Sequence, residues 1–329
     1  YIVIISGYVI LDGFDLGVGM LSPFLARSDH DRRILLNSIG PVWDGNEVWL
    51  VLGGGALFAA FPLVYASLFS GFYLAMMLVL LVLIMRTVAI EFRSKRPEAW
   101  WRSLWDWTFT ISSFGITLLL GVALGNVIRG IAIDQQGNMN VDLFGLLNPY
   151  SLALGLVAVI MLSLHGAIFL TQKTEGALLE RVRSAVPRLL IAFFVAMTAL
   201  IVWTLLRDEQ FTRNFKDRPW TVIFPILAFV SVASAWFLIR RGAYLSAFLA
   251  SATMIALLLG AVACGTYPVM LHSTIDNAYD LTVQNASAAN ETLTVMFVIA
   301  LIGMPFVLLY TAGIYYFFRG RVELDDESY

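Results

Sequence analysis

Apolar residues dominate this chain in long uninterrupted stretches, and short polar or basic segments separate them. About nine stretches can be drawn, at roughly 1–26, 47–67, 69–90, 106–128, 149–170, 187–206, 221–239, 244–264 and 292–318. At ~1.5 Å rise per residue, a helix of about 20 residues crosses a hydrocarbon core of ~30 Å. The pattern predicts an all-α polytopic membrane protein, with about nine transmembrane helices in helical bundles and a single transmembrane domain over 1–329. The connections between the second and third stretches and between the seventh and eighth are too short to fold alone, so no soluble domain is expected. Because Tyr1 lies inside an apolar run, part of the first helix is expected to precede it.

Composition agrees. Charged residues make up 13% of the 329, against about 25% in soluble domains, and 59% are hydrophobic. The mean hydropathy is +0.80. A net charge of −2 without a basic tract gives no sign of a nucleic-acid partner. The single cysteine, Cys264, excludes an internal disulfide framework and a zinc cluster. No cleavable signal peptide is recognisable, since the first stretch carries Asp12 and Asp15.

All but five of the 21 Lys and Arg group on one side of the predicted spans. They are Arg27, Arg32 and Arg33; those from Arg86 to Arg102 and from Lys173 to Arg188; and Arg240, Arg241, Arg319 and Arg321. That side reads as cytoplasmic, with the N-terminus outside and the C-terminus inside. The exceptions are Arg129, Arg207, Arg213, Lys216 and Arg218. Four of them crowd one external loop, the weak point of the topology, partly neutralised by Asp208, Glu209 and Asp217. The 265–291 loop has no Lys or Arg, which suits an external position. Trp100, Trp101, Trp105 and Trp107 form an interfacial belt. Gly13 with Gly17, and Gly121 with Gly125, have the spacing that lets helices approach closely.

Ionisable groups within spans mark either an ion pathway or a structural pair. Asp12 and Asp15 share a helix face at i, i+3 and fit either reading, including a cap on a helix broken at Gly13. Between Gly40 and Leu50, Pro41 and Gly45 are expected to interrupt a helix. Asp44 or Asn46 could cap the helix that follows, but capping does not account for Asp44, Asn46 and Glu47 together between Trp43 and Trp49. Arg86 closes the third span, and Glu91 and Lys95 sit at i, i+4, the spacing of an ordinary surface ion pair. Buried acids with broken helices also suit a proton- or cation-coupled transporter, although no clear internal repeat supports one. The best candidate pairs Gly13–Gly17 with His165–Phe169, and the likeness is thin.

Several motifs together carry a family resemblance. Gly13-Phe14-Asp15-Leu16-Gly17-Val18-Gly19, Trp43-Asp44-Gly45-Asn46-Glu47-Val48-Trp49 and Gly53-Gly54-Gly55-Ala56-Leu57-Phe58-Ala59-Ala60-Phe61-Pro62 resemble subunit II of cytochrome bd-type quinol oxidases. Phe92-Arg93-Ser94-Lys95, Trp105-Asp106-Trp107, Lys173-Thr174-Glu175-Gly176 and Leu309-Tyr310-Thr311-Ala312 continue the match, which is dense over the first 130 residues and sparser beyond. The resemblance implies a haem-free subunit of a bacterial inner-membrane oxidase that couples quinol oxidation to reduction of oxygen to water. Haems b558, b595 and d would belong to a partner, the haem-bearing subunit I. Small accessory subunits, membrane lipid and a structural quinone fit the same picture. The resemblance further implies a cytoplasmic proton route through Asp44 and Glu91, with Lys95 at its mouth and Asp15 alongside. Asp12, Trp43, Asn46, Glu47, Trp49 and Arg86 would hold structure or interface. Where some relatives have Asp, this chain has Glu91, which keeps the acid and lengthens it by a methylene.

The histidines bear on the haem-free reading independently. There are three, and only His165 lies within a predicted span. Three haems would need several buried axial ligands, and a lone His on an apolar helix is better read as hydrogen-bonded. The 11 methionines read as packing.

Overall fold

A computed structural model describes residues 1–207 and 209–324. Asp208, invoked above as a neutralising charge, lies outside the described residues. Among the described residues there are thirteen α-helices: α1 (Ile2–Leu25), α2 (Asp29–Ile39), α3 (Trp43–Ala60), α4 (Pro62–Gly71), α5 (Tyr73–Phe92), α6 (Ala99–Arg129) and α7 (Leu143–Leu146), then α8 (Pro149–Lys173), α9 (Gly176–Arg207), α10 (Glu209–Asp217), α11 (Ile223–Arg240), α12 (Tyr244–Thr266) and α13 (Asn290–Phe317). Eight of them, α1, α5, α6, α8, α9, α11, α12 and α13, are long and apolar enough to cross a membrane. Helix α3, drawn above as part of the second stretch, is not among them. It begins level with the middle of α1, where Asn46 bonds the Leu11 carbonyl, and ends where the Ala60 carbonyl accepts from Ala288 N–H at the opposite face.

Three short helices, α2, α7 and α10, were not legible in the apolar pattern, and two boundaries shift. The break expected near residue 68 falls inside α4; the chain instead turns at Phe61 and Phe72. Pro62 suits the first turn, because its fixed φ and missing N–H fit the first position of a helix. The 265–291 loop is not without structure. It holds a small antiparallel ribbon of β1 (Val269–Leu271) and β2 (Leu281–Thr282), beside a bridge from Ile131 to Ser273.

Helix α8 is the hub. A methyl group at Gly121 would stand 2.7 Å from Gly155 Cα, and one at Gly125 would stand 2.6 Å from Ser151 Cα, so α6 lies on α8 backbone to backbone. Gly17 presses against the Leu162 carbonyl and Gly166 in the same way. Both glycine spacings therefore serve one helix. The weakly similar segments around Gly13–Gly17 and His165–Phe169 pack on each other, with Phe14 stacked on Phe169 at 4.0 Å. Helix α1 is buried without interruption from Asp12 to Ser22, as a helix apolar on nearly all sides must be.

On one face, Asp29 meets Arg93 at 2.7 Å and Arg102 at 2.9 Å, Arg93 also binds Asp106, and Arg181 holds Asp31 at 2.6 Å. This network ties α2 to α6, α9 and the 3-10 turn Arg93–Lys95. Burial alone would push the Asp29 carboxyl up, but Arg93 and Arg102 outweigh it and hold it below the usual carboxylate range. Trp100 and Trp107 are exposed, and Trp101 Nε1 donates to the Phe92 carbonyl at 2.8 Å.

Candidate functional site

The polar residues inside the bundle converge where α1, α3, α5 and α13 meet. Asp12 and Asp15 are both fully buried, on a helix that runs unbroken through Gly13, so the capping alternative fails. Arg86 is not an interfacial cation but an interior one, also fully buried, with Nη2 2.7 Å from Asp12 Oδ1 and Nη1 3.5 Å from Glu47 Oε2. Asp15 Oδ2 accepts from Asn46 Nδ2 at 2.8 Å, and the same amide donates to the Leu11 carbonyl at 3.2 Å. Tyr315 of α13 donates to Asn46 Oδ1 at 3.0 Å. The Tyr8 hydroxyl lies against Asp12.

Three carboxylates thus surround one guanidinium in a medium where unpaired charge is expensive. The pairing is incomplete. Asp12 and Arg86 meet at ion-pair distance without a well-directed hydrogen bond, and Asp15 Oδ1 and Arg86 Nε have none among the described residues. Buried polar atoms in this condition are where ordered water enters proteins.

Helix α3 begins just after the break that Pro41 predicts, but Gly45 does not interrupt it, and neither Asp44 nor Asn46 caps it. Gly40 stays right-handed helical (φ −43°, ψ −49°) and Val42 N–H still donates to the Ile39 carbonyl at 2.9 Å, so the break at 40–42 is a kink between α2 and α3. Trp43, Asn46 and Trp49 turn inward, and Trp49 fills the space a side chain at Gly7 would need. Asp44 points outward, on one stripe with exposed Val48, Val51 and Phe58. Glu91 is half-buried near the end of α5, and Lys95 is exposed. The structure therefore joins Asp12, Asp15, Asn46, Glu47 and Arg86 in one cluster, with Asp44 one turn from Glu47. Sequence reasoning missed Tyr8 and Tyr315. Tyr8 stands one turn before Asp12, a usable signal; Tyr315 comes from the far end of the chain and offers none.

His165 is fully buried, with Nε2 3.0 Å from the Ile10 carbonyl and Nδ1 2.7 Å from Ser251 Oγ. A carbonyl can only accept, so Nε2 carries the proton and Nδ1 is left as an acceptor beside the Ser251 hydroxyl, which also reaches the Phe248 carbonyl at 2.8 Å. Both nitrogens are committed. His272 binds Asp280 at 2.9 Å, and His30 is exposed on α2. None of these offers a buried iron ligand, so the histidines of this chain do not fit a haem.

The sequence model of the family described as cytochrome bd terminal oxidase subunit II matches residues 1–318. The chain belongs to this family. It is 37% identical to the cytochrome bd-I ubiquinol oxidase subunit 2 of Escherichia coli K12, over 98% of this chain and 93% of that one. It is also 37% identical to the cytochrome bd ubiquinol oxidase subunit 2 of Bacillus subtilis, over 97% and 94% respectively. The fold is that of a chain in the bd oxidase structure from Geobacillus thermodenitrificans, with a TM-score of 0.76 at 20% identity and 96% coverage of each chain. This subunit II is thus part of a terminal oxidase, a membrane oxidoreductase in which haem is implied for the complex and a subunit I is its partner. The transporter alternative gives way to that membership.

Proposed function

We propose that this subunit II supports a haem-bearing subunit I, which holds haems b558, b595 and d, and supplies it with protons from the cytoplasm while quinol is oxidised. The carrying observation is the outward Asp44. It lies on an otherwise apolar stripe of α3, level with the middle of α1, where a carboxylate facing lipid would be costly. A neighbouring chain or a wet crevice is the environment that suits it. One turn inward, Glu47 faces Arg86, and Arg86 faces Asp12. Polar groups thus run from the surface of this chain to its fully buried acids. Oxygen reduction consumes protons, and protons do not reach a buried site through lipid.

In this reading Asp44 and Glu91 accept and pass protons, Lys95 gathers or orients at the mouth, and Asp15 is the buried end. Asp12, Glu47 and Arg86 keep the interior polar, and Trp43, Asn46 and Trp49 hold α3 in place. The basic face around Arg93, Arg102 and Arg181 is cytoplasmic, so the N-terminus is outside and the C-terminus inside a bacterial inner membrane. Accessory subunits, lipid and a structural quinone belong to the same assembly.

The test is quinol oxidase turnover in purified complex carrying Asp44→Asn, Glu91→Gln or Lys95→Ala. Asn keeps the volume and one acceptor oxygen of Asp44 but neither takes up nor releases a proton near neutral pH. Asp44→Asn should lower turnover by about tenfold or more, with Glu91→Gln next, Lys95→Ala mildest, and all haems retained. Wild-type turnover in Asp44→Asn would end the relay reading, and loss of haem would make Asp44 an assembly residue.

A further inference from the structure

Four of the five basic residues on the wrong side for the charge rule mark a cleft. Arg129, Arg207, Arg213 and Lys216 line it, with Asp217 as the acid among its described lining residues, and its volume is about 1240 Å³. An apolar cavity of about 380 Å³ adjoins it between α1, α6, α8, α9 and α12, and Tyr150, Thr204 and Leu205 line both spaces. The Tyr150 and Thr204 hydroxyls meet at 2.9 Å on the shared lip. Along α8 the cavity runs from Tyr150 to Leu162, about 18 Å at ~1.5 Å per residue. That depth is close to one leaflet of a ~30 Å hydrocarbon core.

Helix α10 covers the junction. Phe211 and Phe215 face the cavity while Arg213 and Lys216 face the cleft. Asn214 fixes the helix by donating to the Gly265 carbonyl at 2.6 Å and the Tyr267 carbonyl at 2.8 Å. A cationic rim above an apolar slot one leaflet deep is complementary to one class of molecule.

We propose that an anionic phospholipid of the leaflet on this face binds here, its phosphate among Arg129, Arg207, Arg213 and Lys216 and an acyl chain in the apolar cavity. Guanidinium groups bind phosphate oxygens in paired, charge-assisted hydrogen bonds, and basic pockets between membrane helices select anionic headgroups. A neutral quinone head would fill the slot and leave the cations unmatched. A soluble anion would leave the slot unused. The same site gives the exceptional charge of the 207–218 segment a role, since its cations serve a lipid and not the topology.

The test uses the intact oxidase complex, reconstituted in vesicles of phosphatidylglycerol and phosphatidylethanolamine at a 1:3 ratio, re-extracted and analysed for retained lipid by native mass spectrometry. Wild-type complex should keep phosphatidylglycerol well above its bulk share. Arg213→Gln combined with Lys216→Gln should lower that retention about tenfold at unchanged haem content, and Asp217→Asn should raise it. Should the double variant not assemble, a salt titration of the wild type decides, because headgroup binding by cations weakens as salt rises. Retention at the bulk ratio, retention insensitive to both the substitutions and salt, or a quinone recovered from the cavity in place of lipid would each overturn the proposal.

Discussion

Replacing Arg86 by Gln puts the buried cluster under the most direct strain. The guanidinium meets Asp12 at 2.7 Å and Glu47 at 3.5 Å, and Arg86 and Asp12 are both fully buried. At an effective dielectric constant of about 20, charges 2.7 Å apart attract by about 6 kcal/mol. Desolvation of both ions cancels most of that, so the pair adds little net stability. What the substitution removes is compensation: Asp12 stays buried and faces a neutral amide. Breaking a buried pair from one side costs about 3–5 kcal/mol. Large membrane assemblies unfold irreversibly, so the assay is the half-life of haem-replete complex at a fixed elevated temperature. Where the loss falls on the native state alone, 3 kcal/mol shortens that half-life by about two orders of magnitude. Arg86→Met combined with Asp12→Leu removes both charges and should recover most of it. A single variant as durable as the wild type, or a double variant no better than the single, would refute the ion-pair reading.

Gly17→Ala places a methyl group on the Leu162 carbonyl and Gly166, which are backbone and cannot rotate away. The α1–α8 contact should lose about 1–3 kcal/mol, seen as a lowered thermal midpoint of the complex, whereas Gly54→Ala, with open space around it, should change little. Asp29→Asn probes the charged face. Because Arg93 and Arg102 hold the folded Asp29 carboxyl below its unfolded value, its stabilising contribution is present above about pH 4 and is lost as pH falls through the folded value. The thermal midpoints of wild type and variant should therefore differ at pH 6 and converge towards pH 3; a gap that widens on acidification would contradict this.

The spans were readable because bilayer thickness imposes a length on every crossing, and composition carries that length openly. Residues 149–170 and 244–264 became α8 and α12 with ends moved by a few residues. The break after Ala60 was misplaced because hydropathy does not register it: Phe61 and Pro62 are as apolar as their neighbours, and only the backbone of Pro62 distinguishes the site. Spacing put Asp12 and Asp15 on one face, and the motif density around Asp44 flagged α3. Partner choice was hidden, since Arg86 sits near the end of an apolar run and sequence alone suggested an interfacial cation. Its burial depends on α1 and α3 arriving around it, which is a tertiary fact. Tyr315 was hidden for the same reason, reaching Asn46 across 269 positions of chain. The β1–β2 ribbon escaped because strands of three and two residues leave no period to detect.

Helix α1 meets two demands that conflict at first sight. It must approach α8 to backbone contact, which needs small residues, and it must carry acids, which need partners and room. At ~100° per residue, Tyr8, Asp12 and Asp15 form one stripe, and Gly13 and Gly17 another, about 150° away. The glycine stripe lies on Leu162 and Gly166, while the acid stripe faces Arg86 and Asn46. The acids are therefore mounted on a backbone that cannot slide, because its opposite side has no side chain to yield. In the proposed relay, proton movement through this cluster would have to come from side-chain rotation, from water, or from α3, whose kink at 40–42 directly precedes Asp44 and Glu47. Of the helices that hold the cluster, α3 is the one that begins at a kink level with the middle of α1, and it carries the acid that reaches the surface.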